Sequence, residues 1–191
     1  GTNSVVAQLL AGKVPVLAAS DLYLNEHREY GLSTYSKHSD GSGVAISSRL
    51  RPILNMRPKY RHWLSPSLWQ LNADLHLTDW LEEKKIDFDV VTDEDLHLEG
   101  VELLNRYKCV LTGSHPEYSS EKMLAAYEQY QLNGGRWIYL GSDGFYWISE
   151  YHPDNPNIIE VRKGEAGTRA WTANPGEYNN AFDGKYGGMW R

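Results

Sequence analysis

Strand-like and helix-like patterns alternate through the middle of the chain. Short apolar segments at residues 87–92, 108–113 and 136–141 have the length and composition of strands. Residues 96–107 and 119–133 between them repeat apolar side chains at the spacing of an amphipathic helix. Parallel strands joined by right-handed helical crossovers are the usual result of this alternation. The sequence therefore predicts an α/β fold with an open, mostly parallel sheet and flanking helices.

The 191 residues are expected to form a single α/β domain. Residues 14–150 would supply the main sheet and its helices, and residues 151–191 an aromatic, glycine-rich extension. Within these regions, residues 14–19 are predicted as a buried strand and residues 158–162 as an edge or hairpin strand. Ser67 is a candidate N-cap for an amphipathic helix. Because the sequence stops just after a glycine pair, we expect it to be a fragment of a longer subunit.

Charge and composition argue against several classes of protein. With 25 acidic and 19 basic side chains the formal net charge is −6, which disfavours general nucleic-acid binding. The longest apolar runs are far shorter than the ~20 residues of a membrane-spanning helix. The single cysteine cannot form an internal disulfide. These features predict a cytoplasmic protein that binds neither nucleic acid nor a membrane.

Polar side chains cluster where the predicted strands end, which is where open α/β sheets bind their ligands. The turn after the second strand carries His115 and Glu117, and Pro116 restricts the backbone so that both side chains could face one crevice. Two interpretations remain at this stage: a functional pair, or a helix-capping Glu117 beside a polar turn residue. Ser114, His115 and Asp143 have the residue types of a hydrolytic triad, but no Gly-x-Ser-x-Gly turn accompanies them.

Three other groups have simpler explanations than a functional site. Residues 93–99, which are mostly acidic and include His97, have the composition of a metal site, but acidic side chains are common in a first helical turn. We favour helix capping for this segment. Cys109 lies within a strand pattern and is expected to be a buried core thiol. The five basic residues of segment 49–61 are expected to belong to a solvated loop rather than to an anion-binding patch.

Five motifs, in order along the chain, resemble one protein family. Residues 112–118 are Thr-Gly-Ser-His-Pro-Glu-Tyr, and residues 139–147 are Tyr-Leu-Gly-Ser-Asp-Gly-Phe-Tyr-Trp. The other motifs are residues 29–43, 51–58 and 187–191. Together they resemble the large (β) subunit of N,N-dimethylformamidase, and the resemblance covers residues 14–191.

The resemblance implies an amidohydrolase that cleaves N,N-dimethylformamide, or a similar small formamide, to an amine and formate. It also implies a mononuclear ferric ion, Fe(III), held by two tyrosines and a glutamate. By motif, Tyr35 and Glu117 match two of these ligands, and Tyr23 matches the other tyrosine with a shorter connection than the family has. His115 matches an active-site histidine, and Asp143 stands where the family has asparagine.

The same resemblance implies a three-layer, glutamine amidotransferase-like (flavodoxin-like) architecture. The family's large subunit is longer than this chain, with a preceding β-rich domain. It works with a small helical partner subunit, so we expect such a partner here, together with a homo-oligomer.

Elementary chemistry is compatible with these implications. A phenol has an unperturbed pKa near ~10, so phenolate ligands at neutral pH require a hard, highly charged cation. Ferric iron meets that requirement better than zinc, and His115 could donate a hydrogen bond or shuttle a proton. Two other hypotheses remain: a non-catalytic glutamine amidotransferase-like module that binds a ligand or partner, and a glycosidase whose carboxylate separation nothing in the sequence fixes.

Overall fold

The computed structural model describes residues 19–61, 67–164 and 171–190. Its helices are α1 (Ala19–Glu26), α2 (Leu71–Glu83), α3 (Asp93–Glu99), α4 (Val101–Leu104) and α5 (Glu121–Leu132), with a 3-10 turn at Arg28–Tyr30. Its strands are β1 (Ile46–Ser48), β2 (Cys109–Leu111), β3 (Tyr118–Ser119), β4 (Arg136–Ile138), β5 (Trp147–Ile148), β6 (Glu150–His152) and β7 (Asn155–Glu160). The chain is therefore a mixed α/β protein. None of the helices in these ranges is long and apolar enough to cross a membrane.

One β-α-β unit lies where the sequence predicts it. β2 and β4 are parallel neighbours, with Val110 opposite Trp137, and α5 connects them. α5 begins after Ser120, whose hydroxyl accepts a hydrogen bond from the Met123 amide at 3.3 Å. The helix packs on α3 and α4 around six buried side chains, which are Leu96, Leu103, Leu104, Met123, Ala126 and Tyr130. This part of the prediction is confirmed.

The segment before β2 departs from the prediction. Residues 87–92 form no strand, and Val90 and Val91 are exposed, so the strand predicted there is wrong. The single helix predicted at residues 96–107 is two short helices, α3 and α4. Gly100, which has a positive φ of 62°, separates them.

The acidic start of α3 is a capping box. Thr92 Oγ1 accepts from the Asp95 amide at 3.2 Å, and the Asp95 carboxylate accepts from the Thr92 amide at 3.0 Å. These bonds satisfy amides that a helix start leaves without intrahelical partners. The favoured interpretation of residues 93–99 as a helix start is confirmed.

β7 lies at the centre of a three-stranded antiparallel sheet in the order β1-β7-β6. Ile159 is opposite Ser47 on one side and Tyr151 on the other. β6 and β7 form a hairpin, as expected for residues 158–162. The alternative expectation of an edge strand is wrong, because β1, which is much earlier in the chain, pairs with the side of β7 that β6 does not occupy.

The described strands form three small sheets rather than one open sheet. β3 and β5 are a second parallel pair, separate from β2 and β4. The three-layer architecture therefore stays a prediction.

Of the strand predicted at residues 14–19, residues 14–18 lie outside the described residues and Ala19 begins α1. Ser67 does not cap α2, whose N-cap is Gln70.

The basic side chains of segment 49–61 are largely bonded within the fold. Arg49 pairs with Glu94 at 3.0 Å, and Arg51 donates to the Leu32 carbonyl at 2.7 Å. Arg57 donates to the Leu54 carbonyl at 2.5 Å. The segment is an irregular loop, as expected, and these three cations bond it to its surroundings.

Candidate functional site

Tyr35 and Glu117 lie close enough for the carboxylate charge to act on the phenol. Partial burial raises the pKa of Tyr35, and the negative charge of Glu117 raises it further. Tyr35 follows a turn in which its amide donates to Ser33 Oγ at 3.2 Å. Glu117 comes from the turn that leads into β3. The fold thus places two oxygen donors that are far apart in the sequence within electrostatic range of each other.

The indole of Trp147 and the start of the β3–β5 pairing hold Glu117 in place. Trp147, which is buried, donates from Nε1 to Glu117 Oε1 at 3.0 Å. The Glu117 carbonyl accepts from the amides of Tyr146 at 3.1 Å and Trp147 at 2.9 Å. Because Ser120 caps α5, the alternative interpretation of Glu117 as a helix cap is wrong.

A buried lysine lies among the aromatic rings around this pair. Lys163 Nζ is 3.5 Å from the ring centroid of Tyr35, 4.6 Å from that of Tyr118 and 5.1 Å from that of Trp147. It also donates to the Tyr118 hydroxyl. Burial lowers the pKa of Lys163 to about 7, and the charge of Glu117 opposes that shift. The rings and the carboxylate offset part of the cost of burying an ammonium.

Tyr118 links the lysine to Tyr35. Its hydroxyl donates to the Tyr35 oxygen, a bond that lowers the pKa of Tyr35 against the effect of burial. Burial and the charge of Glu117 raise the pKa of Tyr118 itself, so this phenol stays protonated and acts as a donor. No local sequence pattern marks Lys163 as buried, because a lysine just after a strand is usually exposed.

His115 lies two residues before Glu117, with its ring against that of Trp69 at a centroid distance of 4.7 Å. Its Nδ1 is buried and, like Oγ of Ser114, has no hydrogen-bond partner among the described residues. Buried polar atoms without partners in the protein are usually satisfied by water or a ligand. His115 therefore has a free hydrogen-bonding position inside the turn that carries Glu117.

Asp143 lies in the neighbouring turn, which touches the turn of His115. The Ser142 amide donates to the Ser114 carbonyl at 2.9 Å and joins the two turns. Asp143 itself is exposed and has a positive φ of 51°. The two candidate catalytic residues, His115 and Asp143, thus come from adjoining turns at the ends of β2 and β4.

None of the contacts described for Tyr23 is with Tyr35. It lies in α1, where its ring stacks on that of His27 at 4.2 Å and on that of Tyr30 at 6.0 Å. A hydrogen bond with Tyr30 is the largest cause of the raised pKa of Tyr23. Within the described part of the chain, only Tyr35 and Glu117 of the three candidate iron ligands come together.

The chemistry of Tyr35 and Glu117 fits a hard cation. Phenol and carboxylate oxygens are donors that a trivalent ion prefers, and a phenol with a raised pKa loses its proton only to a strongly charged partner. Among the described residues, no three His, Cys, Asp or Glu side chains are grouped to hold a metal.

Comparison with known proteins agrees with the five sequence motifs. Residues 16–191 match the family model described as "N,N-dimethylformamidase beta subunit-like, C-terminal". The chain belongs to this N,N-dimethylformamidase β-subunit family. The "N,N-dimethylformamidase beta subunit" proteins of Alcaligenes sp and Paracoccus aminophilus are each 50% identical to it over 187 residues. The match covers 97% of this chain and 24% of each relative, so the chain spans less than a third of those dimethylformamidase subunits.

Proposed function

We propose that this chain carries part of the hydrolytic site of an N,N-dimethylformamidase-like amidohydrolase. The reaction is hydrolysis of a small N-substituted formamide to formate and an amine. The observation that carries the proposal is the approach of Tyr35 to Glu117, two oxygen donors from distant parts of the chain, in a family named for this activity.

The proposed cofactor is a mononuclear ferric ion held by Tyr35, Glu117 and Tyr23. The closeness of Tyr35 and Glu117 supports the first two ligands. The assignment of Tyr23 is supported by the family resemblance alone, since its described contacts are with His27 and Tyr30. When bound, such an ion supplies a Lewis acid that polarises an amide carbonyl and makes a bound water more acidic.

The protein side chains would orient the reactants and move protons. His115 can place the free position of its ring on a substrate or a water molecule, and we assign it the proton transfer. We assign Asp143, in the adjoining turn, to accept a hydrogen bond at the edge of the site. Trp147 orients the Glu117 carboxylate, and the surrounding rings of Tyr35 and Tyr118 restrict the access of water.

We extend the proposal to the assembly and location of the protein. The designation of the relatives as beta subunits supports an enzyme of more than one kind of subunit. The family resemblance supports four further proposals: a small helical partner subunit, a homo-oligomer, a cytoplasmic location and a complete glutamine amidotransferase-like sheet.

Metal analysis and an absorption spectrum of the protein expressed with added iron test this proposal. We expect about one iron per chain and a visible tyrosinate-to-iron band, because phenolate ligands donate charge to ferric iron. Tyr35→Phe should abolish the band, and Glu117→Ala should release most of the iron. The matched controls Tyr186→Phe and Glu128→Ala, both on exposed side chains, should keep iron and colour.

Colourless, iron-free wild-type protein would contradict the proposal. Full iron content in both Tyr35→Phe and Glu117→Ala would place the metal elsewhere. Dimethylformamide turnover by the full subunit with its partner distinguishes an enzyme from a non-catalytic binding module. Iron binding without turnover would favour the binding module.

A further inference from the structure

The turn that carries His115 and Glu117 rests on the beginning of α2. The Ser114 amide donates to Asp74 Oδ1 at 2.6 Å, although the two residues are distant in the sequence. Hydrogen bonds from an amide to a carboxylate are stronger than bonds between neutral groups. One face of the turn is thus fixed to a charged side chain of α2.

A glycine makes this approach possible. A Cβ at Gly113 would lie 3.1 Å from Oδ1 and 3.3 Å from Oδ2 of Asp74, closer than ordinary van der Waals contact. A side chain at position 113 would therefore press on the carboxylate and displace it by a few tenths of an ångström. This close packing aims the carboxylate at the Ser114 amide.

The peptide groups before His115 are held on two sides. The Ser114 amide donates to Asp74, and the Ser114 carbonyl accepts from the Ser142 amide at 2.9 Å. The His115 ring then packs on Trp69, which lies two residues before the start of α2. With its backbone fixed at Ser114 and its ring at Trp69, His115 has little freedom to turn away from the site.

We propose that Asp74 is a positioning residue that fixes, through the Ser114 amide, the turn presenting His115 and Glu117. Asp74 touches neither of these side chains in the described contacts, and it acts through the backbone that joins them. The expected effect on metal binding rests on the proposed function. The expected effect on the position of the turn concerns the metal-free chain. Neither the motifs nor the relatives' names assign a role to this residue.

The test compares Asp74→Ala, Asp74→Asn and Asp79→Ala. An asparagine oxygen can accept the same hydrogen bond, and Asp79 is an exposed carboxylate on the same helix, so it controls for lost charge on α2. Hydrogen exchange of the Ser114 amide and the NMR shift of the His115 ring protons, which the Trp69 ring perturbs, are measured on the metal-free chain. Ferric-ion affinity is measured in parallel.

In Asp74→Ala we expect Ser114 exchange to accelerate about tenfold or more, because a charge-assisted bond is lost. The His115 shift should move toward that of a free histidine. Ferric-ion affinity should fall about 10–100-fold, as for other groups that orient metal ligands. Asp74→Asn should stay within about threefold of wild type in exchange and affinity, since it keeps the acceptor, and Asp79→Ala should match wild type.

Unchanged exchange and an unchanged His115 shift in Asp74→Ala would overturn the inference. So would faster exchange with unaltered ferric affinity. If the wild-type chain binds no iron, the proposed function fails, but the exchange and ring shift still decide the positioning role. If Asp74→Ala does not fold, Gly113→Ala, which presses a methyl group on the carboxylate, replaces it with the same expected directions and the same contradicting results.

Discussion

Among single residues, Glu117 has the central place in the site, because its carboxylate interacts with both Trp147 and Lys163. The carboxylate accepts from the buried indole of Trp147, and its charge opposes the lowering of the pKa of the buried Lys163. A buried ion without partners costs several kcal/mol, so each of these groups depends on the others. Because only one hydrogen bond from a side chain is described for the carboxylate, its direction depends strongly on Trp147.

Replacing Trp147 with Phe keeps an aromatic ring in the core and removes the N–H that bonds Glu117. We expect ferric-ion affinity to fall by about tenfold, since partners that orient metal ligands typically contribute that much or more. Titration with iron, followed by the visible band, measures this. Trp190→Phe is the matched control, because Trp190 donates to the Ser119 carbonyl at 3.1 Å and not to Glu117. Equal affinity in folded Trp147→Phe and wild type would remove the orienting role.

His115 and Glu117 could be found from the sequence, whereas Lys163 could not. The first two stand in the turn that follows β2, and the position of such a turn follows from local apolar patterns. The burial of Lys163 depends on rings contributed by Tyr35, Tyr118 and Trp147, which are remote from it in the sequence. Long-range packing of this kind leaves no periodic signal near the lysine itself.

Helices and strands show the same difference: those placed by local patterns were predicted correctly, and those placed by long-range packing were not. β2 and β4 are close in the chain and pair in parallel through the crossover that contains α5, so local patterns suffice to place these elements. The central place of β7 depends on β1, which is distant in sequence. The pattern at residues 87–92 is apolar enough for a strand, but no described strand pairs with it.

Glu160 shows how β7 secures a later segment. It is fully buried at the end of the strand, where its carboxylate accepts from the amides of Ala181 at 2.8 Å and Phe182 at 3.0 Å. Arg162 supplies the opposing charge at 2.6 Å. Arg162 also donates to the Glu177 carbonyl at 3.0 Å, so this charged pair attaches residues 171–190 to the end of β7.

Glu160→Ala should lower the free energy of unfolding by about 3 kcal/mol, because it leaves Arg162 and two amides without their buried partner. Glu160→Gln should cost less, since its oxygen still accepts one amide bond. Urea unfolding followed by circular dichroism measures both, with the exposed Glu128→Ala as control. Wild-type stability in Glu160→Ala would show that the segment is held by other contacts.

At the scale of the whole molecule, His97 connects three elements. From α3, its Nδ1 meets Ser120 Oγ, the cap of α5, at 2.8 Å, and its ring lies 4.2 Å from that of Tyr151 in β6. Burial, with a smaller effect from the charge of Lys122, lowers the pKa of His97 to about 4. The helical core and the antiparallel sheet thus meet at an imidazole that is neutral in the folded state near neutral pH.

This histidine should make the stability of the whole chain depend on pH. The unfolded chain protonates His97 near its ordinary pKa of about 6.5, whereas the folded chain does so near 4. The unfolded state therefore binds more protons between these values, and the free energy of unfolding falls as pH drops from 6.5 to 4. We expect His97 to account for about 3 kcal/mol of that loss. His97→Gln, which cannot titrate, should lack this component, while the exposed His76→Gln should keep it. Urea unfolding at pH values across the range tests this, and equal pH dependence in wild type and His97→Gln would show that other groups cause the loss.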